Sequence, residues 1–470
     1  MKQLRFSFLF TLLFCVVTNS WADGTCGDNL TWTYDDETKT LTISGTGAMY
    51  DYWQNLGQPT TPWHEEGYKD LEHVIIEEGV TSIGKFAFLN CVALSSVQIS
   101  KTVFKIDLCA FENCGLTSVI IPEGVSIISE ESFANCTNLS SVFISEGVTT
   151  IDTYAFRGCS AITSITIPSS VNSIGTNPFS GCSSLEAIHV DADNATYDSR
   201  NHCNAIIKTE YNVLISGCCN TIIPDGITGI GRSAFKGCTG LTSVIIPSSV
   251  NLIIENPFVD CSGLELIKVD SGNTTYDSRN HCNAIINKES NTLITGCINT
   301  IIPNNITEIG IEAFRGCVGL ASLTLPNSVS SIGHYVFYDC INLSSIVFGN
   351  NLTKIGDRAF RHCSSLSNVY CYTEQVPSTL GSFDASIKQA TLHVPAATIQ
   401  LYSDAEEWKD FGNIIALKDT DPVPTTIMNI SHDAKIRYSY SLDGKCASIL
   451  RHGLKIVKKN DGSRKKIIIK

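Results

Sequence analysis

The chain has 470 residues, 43% hydrophobic and 17% charged, with a net charge of −13. That is ample for a large core. The low charge, with many Ser, Thr and Asn, argues against a binder of phosphate backbones and suits contact with proteins or glycans.

Residues 1–22 read as a secretory signal, with Lys2 and Arg5 before an apolar run from Phe6 to Val17 and small residues at Ser20 and Ala22. Cleavage is expected after Ala22, and the product is exported. Phe14 is too bulky for lipoprotein processing at Cys15. No later apolar run approaches the roughly 18 residues of a spanning helix, so none is expected. Residues 23–70 are read as a capping β segment.

From Leu71 to Leu417 one pattern recurs: Leu, then Val/Ile-x-Ile-Pro, then Val-x-x-Ile-Gly, then Ala-Phe-x-x-Cys. It reads LTSVIIPEGVSIISEESFANC from Leu116 and LASLTLPNSVSSIGHYVFYDC from Leu320. The leucine phase advances by 22 or 23 residues, except for two steps of 33 residues (185–217 and 264–296), and marks 14 coils. A fixed period of this length is a solenoid signature, because one coil cannot bury its own apolar side. The alternation Leu116, Val119, Ile121 predicts a strand closed by Pro122. The expected fold is therefore a β-rich repeat solenoid. A column of parallel strands lies on one side, and short irregular or 3-10 segments lie opposite. At about 4.8 Å per stacked strand it spans about 65 Å.

Two columns are expected inside. Phe88, Phe111, Phe133, Phe156, Phe179, Phe235, Phe258, Phe314, Phe337 and Phe360 share one phase and read as stacked core rings. Cys91, Cys114, Cys136, Cys159, Cys182, Cys238, Cys261, Cys317, Cys340 and Cys363 share another. Stacked side chains point the same way, which is poor disulfide geometry, so these are read as free buried thiols.

The two long coils carry nearly the same text, with TYDSRNHCNAII identical from Thr196 and from Thr275. Apolar runs on either side of a polar turn predict a hairpin that projects from one face. Asp198, Arg200 and His202, matched by Asp277, Arg279 and His281, form the densest polar clusters and are the candidate ligand-binding residues. The alternative is a structural turn in which Asp caps amides and pairs with Arg. Disulfides Cys203–Cys218 and Cys282–Cys297 are left open. There is no Gly-x-Ser-x-Gly, His-Glu-x-x-His or phosphate loop, and no Cys-x-x-Cys is paired with a second. No enzyme activity, cofactor or metal is expected.

Residues 418–430 read as a polar linker. From Ser431 to Lys470 there are 11 Lys/Arg against 3 Asp/Glu, and GLKIVKKNDGSRKKIIIK from Gly453 predicts a hairpin turning at Asn460-Asp461-Gly462. This is a small basic β module. It lacks interleaved aromatics, so nucleic acid is not an expected partner.

These repeat motifs resemble the leucine-rich repeats of the BspA-like surface-protein family, also called the treponemal type. The resemblance covers about Cys26 to Leu417 and includes the lead-in CGDNLTWTYDDETKTLTISGTGAMYDY and the closing VPAATIQLYSDAEEWKDFGNIIAL. It implies a cell-surface or extracellular, outer-membrane-associated protein that adheres to host or neighbouring-cell surface proteins, above all those of the extracellular matrix. A glycan-binding or polysaccharide-handling accessory protein is the alternative. The C-terminal segment resembles the sorting domains of the type IX route of Bacteroidetes, which implies the outer-membrane export machinery as a partner.

Overall fold

The computed structural model describes residues 21–53, 61–65, 70–424, 453–458 and 464–469. The expected signal segment lies outside the described residues up to position 20. The first strand, Trp21–Gly27, already begins ahead of the expected cleavage point.

The chain forms two compact units, Met1–Pro424 and Thr425–Lys470. The first is a parallel β-solenoid of about 15 turns, against the 14 counted from the leucine phase. The ladder extends beyond the leucine motif at both ends. Thr40–Gly45 pairs in parallel with His73–Ile76, and Thr391–Val394 with Asn413–Ala416.

Each regular coil contributes to three ladders. The first consists of strands such as Ser118–Ile121, in which Val119 and Ile121 are buried while Ser118 and Ile120 face out. Its register sets Ser141 beside Ser118 and Phe143 beside Ile120. The second is a ladder of shorter strands in which Ile106, Ile128, Ile151 and Ile174 stack in line. The third is made by the phenylalanine turns. The Phe111 amide donates to the Ser132 carbonyl at 2.7 Å, and the Phe133 amide to the Ala155 carbonyl at 2.9 Å. These ladders bond each coil to the next through the backbone, and turn amides such as Ala110 and Leu139 bond within their own coil.

The two side-chain columns follow from this spacing. The rings of Phe88, Phe111, Phe133 and Phe156 stack at 5.1, 5.3 and 5.4 Å. Trp63 starts the stack, 5.2 Å from Phe88. At the other end Phe383 lies 5.2 Å from Phe360, and Trp408 meets Phe383 edge-on at 5.5 Å. Seven thiols of the cysteine column donate to the carbonyl of a preceding coil's phenylalanine. Cys114, Cys136 and Cys159 reach Phe88, Phe111 and Phe133 at 3.1 Å. Cysteine suits this position because it is small and apolar yet carries a weak donor. All 18 described cysteines are free, including Cys203, Cys218, Cys282 and Cys297.

The long coils depart from the sequence expectation. Their hairpins do not project. Ala205–Lys208 and Val213–Gly217 pair antiparallel inside the stack, and the second strand continues in parallel to Gly229–Ile230. Ala205, Ile206, Ile207 and Leu214 are all buried. Ile206 joins the core of the preceding coils, while Ile207 joins that of the following ones. Ile285 and Ile286 divide in the same way between the second and third core segments. Each hairpin is a wall across the solenoid, and the core is three segments rather than one. Gly217 and Gly296 lie against the next ring: a Cβ at either would come 2.2 or 2.1 Å from Phe235 or Phe314 Cε1.

In the second unit Gly453–Lys458 pairs antiparallel with Arg464–Ile469, with Lys458 opposite Arg464. The expected turn at 460–462 and the tail from 425 to 452 lie outside the described residues.

Replacing Phe235 by Ala removes a buried ring 4.9 Å from Phe258 and is expected to cost about 3–5 kcal/mol in denaturant unfolding. A loss under about 1 kcal/mol would contradict a core role. In unfolded, unreduced protein prepared without added oxidant, the ten in-phase cysteines are expected to alkylate. Mass spectrometry finding them largely bridged would contradict the thiol column.

Candidate functional site

The duplicated segments are built as sealed turns. In the first, the buried Asn194 amide donates to the carbonyls of Pro168 at 2.8 Å and Val171 at 2.9 Å. Its oxygen accepts from the amides of Thr196 and Tyr197. The Tyr197 hydroxyl accepts from the Ile174 amide at 3.0 Å, at the last strand of the preceding short-strand ladder. A side chain thus replaces the strand that the long coil omits. Ser199 Oγ accepts from the Val190 amide at 3.0 Å. Asn273, Tyr276 and Ser278 repeat all of these bonds in the second copy.

The six candidate residues fall into two groups. Asp198 and Arg200 are brought together: Arg200 Nε donates to Asp198 Oδ1 at 2.8 Å, Nη2 to Oδ2, and Nη1 to Asn212 Oδ1 at 2.9 Å. Asp277 and Arg279 match them, with Arg279 Nη1 donating to Asn291 Oδ1 at 2.9 Å. Burial by itself would raise Asp198. The hydrogen bonds from Arg200 outweigh it and hold the carboxyl below its usual range. His202 and His281 are not drawn into these pairs. They are exposed, on left-handed backbone with φ of 52° and 54°.

The surface that the sequence reading missed lies on the outer face of the long strands. Ile120 and Phe143 are neighbours there, 65% and 61% exposed. An open groove of about 640 Å³ lies nearby, lined by Ile75, Gln98, Lys101 and Pro122. The signal was present in SVIIP and SVFIS, where an apolar residue occupies the outward position of an alternating strand. Conversely, many of the hydroxyls taken as free surface are engaged between coils. Ser140 Oγ donates to the Thr117 carbonyl at 3.2 Å and Thr149 Oγ1 to the Ser126 carbonyl at 3.1 Å, and Ser344 and Ser367 continue the pattern.

Two further clusters are notable. Near the N-terminal end Tyr50 and Trp53 are 42% and 44% exposed, and Trp53 lies 5.6 Å from Phe86. Among the described residues, Cys109, Glu112 and Glu131 converge closely enough to hold a metal ion. Arg157 already supplies the positive charge, with Nη2 3.0 Å from Glu131 and 3.7 Å from Glu112, so this is an ion-pair network.

The comparisons with known proteins agree with this geometry. The family described as "BspA type Leucine rich repeat region" matches in six copies over residues 66–186, 216–291 and 284–405. A leucine-rich repeat protein from Eubacterium ventriosum is similar in structure at 24% identity, over 73% of this chain and 95% of its own, with a TM-score of 0.50. That is a likeness of fold. A leucine rich cell surface protein from Faecalibacterium prausnitzii matches at 26% identity over 74% and 94%, with a TM-score of 0.46. No curated protein matches the sequence.

Replacing Arg200 by Ala leaves Asp198 and the Asn212 oxygen without their partner. An unfolding cost of about 1–3 kcal/mol is expected, and similarly for Arg279. An unchanged thermal midpoint would show that these pairs are not structural.

Proposed function

Because the chain belongs to the BspA-type leucine-rich repeat family, we propose that it is an exported cell-surface protein whose solenoid binds host or neighbouring-cell macromolecules, with extracellular-matrix proteins the first class to test. The observation that carries this reading is the exposed pair Ile120 and Phe143 beside an open groove. Apolar side chains set in a rigid sheet face are suited to a protein partner, since they are pre-organised and lose little freedom on contact. No described helix is long and apolar enough to cross a membrane. The basic tail is read as a type IX sorting module that engages the outer-membrane export machinery.

Within the long coils the proposed contact rests on His202 and His281, since Asp198, Arg200, Asp277 and Arg279 are engaged with their own turns. A second reading, glycan binding, has its own observation in the exposed Tyr50 and Trp53, because aromatic faces pack on sugar rings.

The two readings separate in one experiment, with a matrix-protein panel run beside a glycan array. The double variant Ile120→Ser and Phe143→Ser is expected to lose at least tenfold in affinity for a matrix protein, about 1.4 kcal/mol, with the thermal midpoint held. Trp53→Ala is expected to leave that binding intact. Loss of glycan binding on Trp53→Ala, with no matrix protein bound by the parent, would overturn the first reading in favour of the second. Substituting both His202 and His281 by Ala tests the long coils on the same panel.

A further inference from the structure

The groove of about 640 Å³ at the N-terminal end of the outer face is apolar along one part of its lining and acidic along another. Ile75, Ile99 and Pro122 are half-buried there, while Glu77, Glu78 and Lys101 are exposed. The groove coincides with a departure from the repeat. Pro122, Pro168 and Pro247 close their long strands, but Glu77 and Ser100 stand at that phase in the two coils before Pro122. Glu78 and Lys101 approach to 3.8 Å with side chains 73% and 66% exposed, a loose surface pair that adds little to stability. Glu77 has no cation paired with it among the described residues. Two carboxylates against one ammonium leave the groove with a net charge of −1.

The groove also heads the row to which Ile120 and Phe143 belong. Ile75 lies beside Gln98 and Ile120 beside Phe143 in the ladder, and all four share one phase of the repeat. At about 4.8 Å per strand, the middle of the first pair is about 10 Å from the middle of the second. An extended segment laid across the strands, rising about 3.1–3.3 Å per residue, covers that distance in about three residues. Lys and Arg pack their aliphatic stems on apolar surface while the charged head stays in water. Half-buried Ile75, Ile99 and Pro122 beside the free Glu77 carboxylate offer both halves of such a contact.

We propose, on the protein-binding reading given above, that this end of the outer face receives a basic, extended segment of a partner protein. A Lys or Arg side chain of the partner lies in the groove with its head at Glu77, and an apolar side chain about three residues away rests on Ile120 and Phe143. Glu77 and Glu78 are then the residues that set specificity, and Lys101, already turned to Glu78, excludes a second cation from that side. The charge of the chain favours the same partner. Of 33 Lys/Arg and 46 Asp/Glu, the tail from Ser431 holds 11 and 3, so the rest carries 22 against 43, a net charge of −21. Such a field draws basic segments in and repels acidic ones.

The test uses the full chain and short labelled peptides with one lysine and one phenylalanine three residues apart, beside matched peptides with glutamate for the lysine. Binding is read by fluorescence anisotropy. The lysine peptide is expected to bind at least tenfold more tightly than the glutamate peptide, with the ratio falling towards one at about 1 M salt. The double variant Glu77→Gln and Glu78→Gln is expected to abolish the ratio with the thermal midpoint held, since both side chains are exposed. The double variant Ile120→Ser and Phe143→Ser is expected to weaken both peptides and leave the ratio in place. A ratio near one, a preference for the glutamate peptide, a ratio that survives the glutamine variant, or no binding of either peptide would each overturn the proposal. Loss of matrix-protein binding in the serine variant, with none in the glutamine variant, would also overturn it while leaving the protein-binding reading intact.

Discussion

Each coil must offer the next a complete set of backbone partners and a flat ring at strand spacing, and the rest of the structure depends on that requirement. The long strands, the short strands and the phenylalanine turns all bond forward by one coil. The side chains at these phases are chosen by the same condition. Phenylalanine fills the interior and stacks. Cysteine fits below the ring and gives its weak donor to a phenylalanine carbonyl of a preceding coil. Serine and threonine at the strand entrances do the same at the edge. A thiol-rich interior in a chain read as exported is thus explained by packing: the column sulfurs are buried, and most donate to a carbonyl of a preceding coil.

A regular stack of this kind has no natural limit, and the long coils supply one. Each inserts a hairpin that is apolar on both faces, so the core on either side ends against it. The ladder that stops there still has an amide to satisfy, and the tyrosine hydroxyl does so at Ile174 and Ile253. Glycine at 217 and 296 lets the wall approach the next ring closely. Asn, Tyr, Asp, Ser and Arg of the two copies hold the same backbone or side-chain partners.

How much of this was legible in the residues can be traced position by position. The phenylalanine and cysteine phases were legible because their period is strict and their chemistry is uniform. The hairpins were legible as hairpins, but not as walls. The run Ala205-Ile206-Ile207 is apolar at every position, which is the mark of a strand buried on both faces, whereas a projecting hairpin would alternate. The ligand reading of Asp198 and Arg200 rested on chemical density, and the structure places both in the polar turn of the long coil, paired with each other and with Asn212. Ile120 and Phe143 occupy outward positions of alternating strands, where an apolar residue departs from the polar alternation of Gln98 and Thr166. The left-handed backbone at Phe86, Glu131 and Tyr154 had no signal at all. No glycine or asparagine marks those positions, and the conformation is held by bonds to the next coil, such as the Glu131 amide on the Thr153 carbonyl.

In a repeat protein, then, agreement between copies at positions such as Asn194 and Tyr197 reflects their engagement in the stack, and the outward positions where coils differ are what the stack leaves over. Ile120 and Phe143 stand where the coils before and after carry Gln98 and Thr166. Cys219 stands where the second copy has Ile298. Neither stacking nor wall-building requires these residues, for the neighbouring coils do both without them. Divergence between copies that leaves the backbone bonds intact is free to follow a partner.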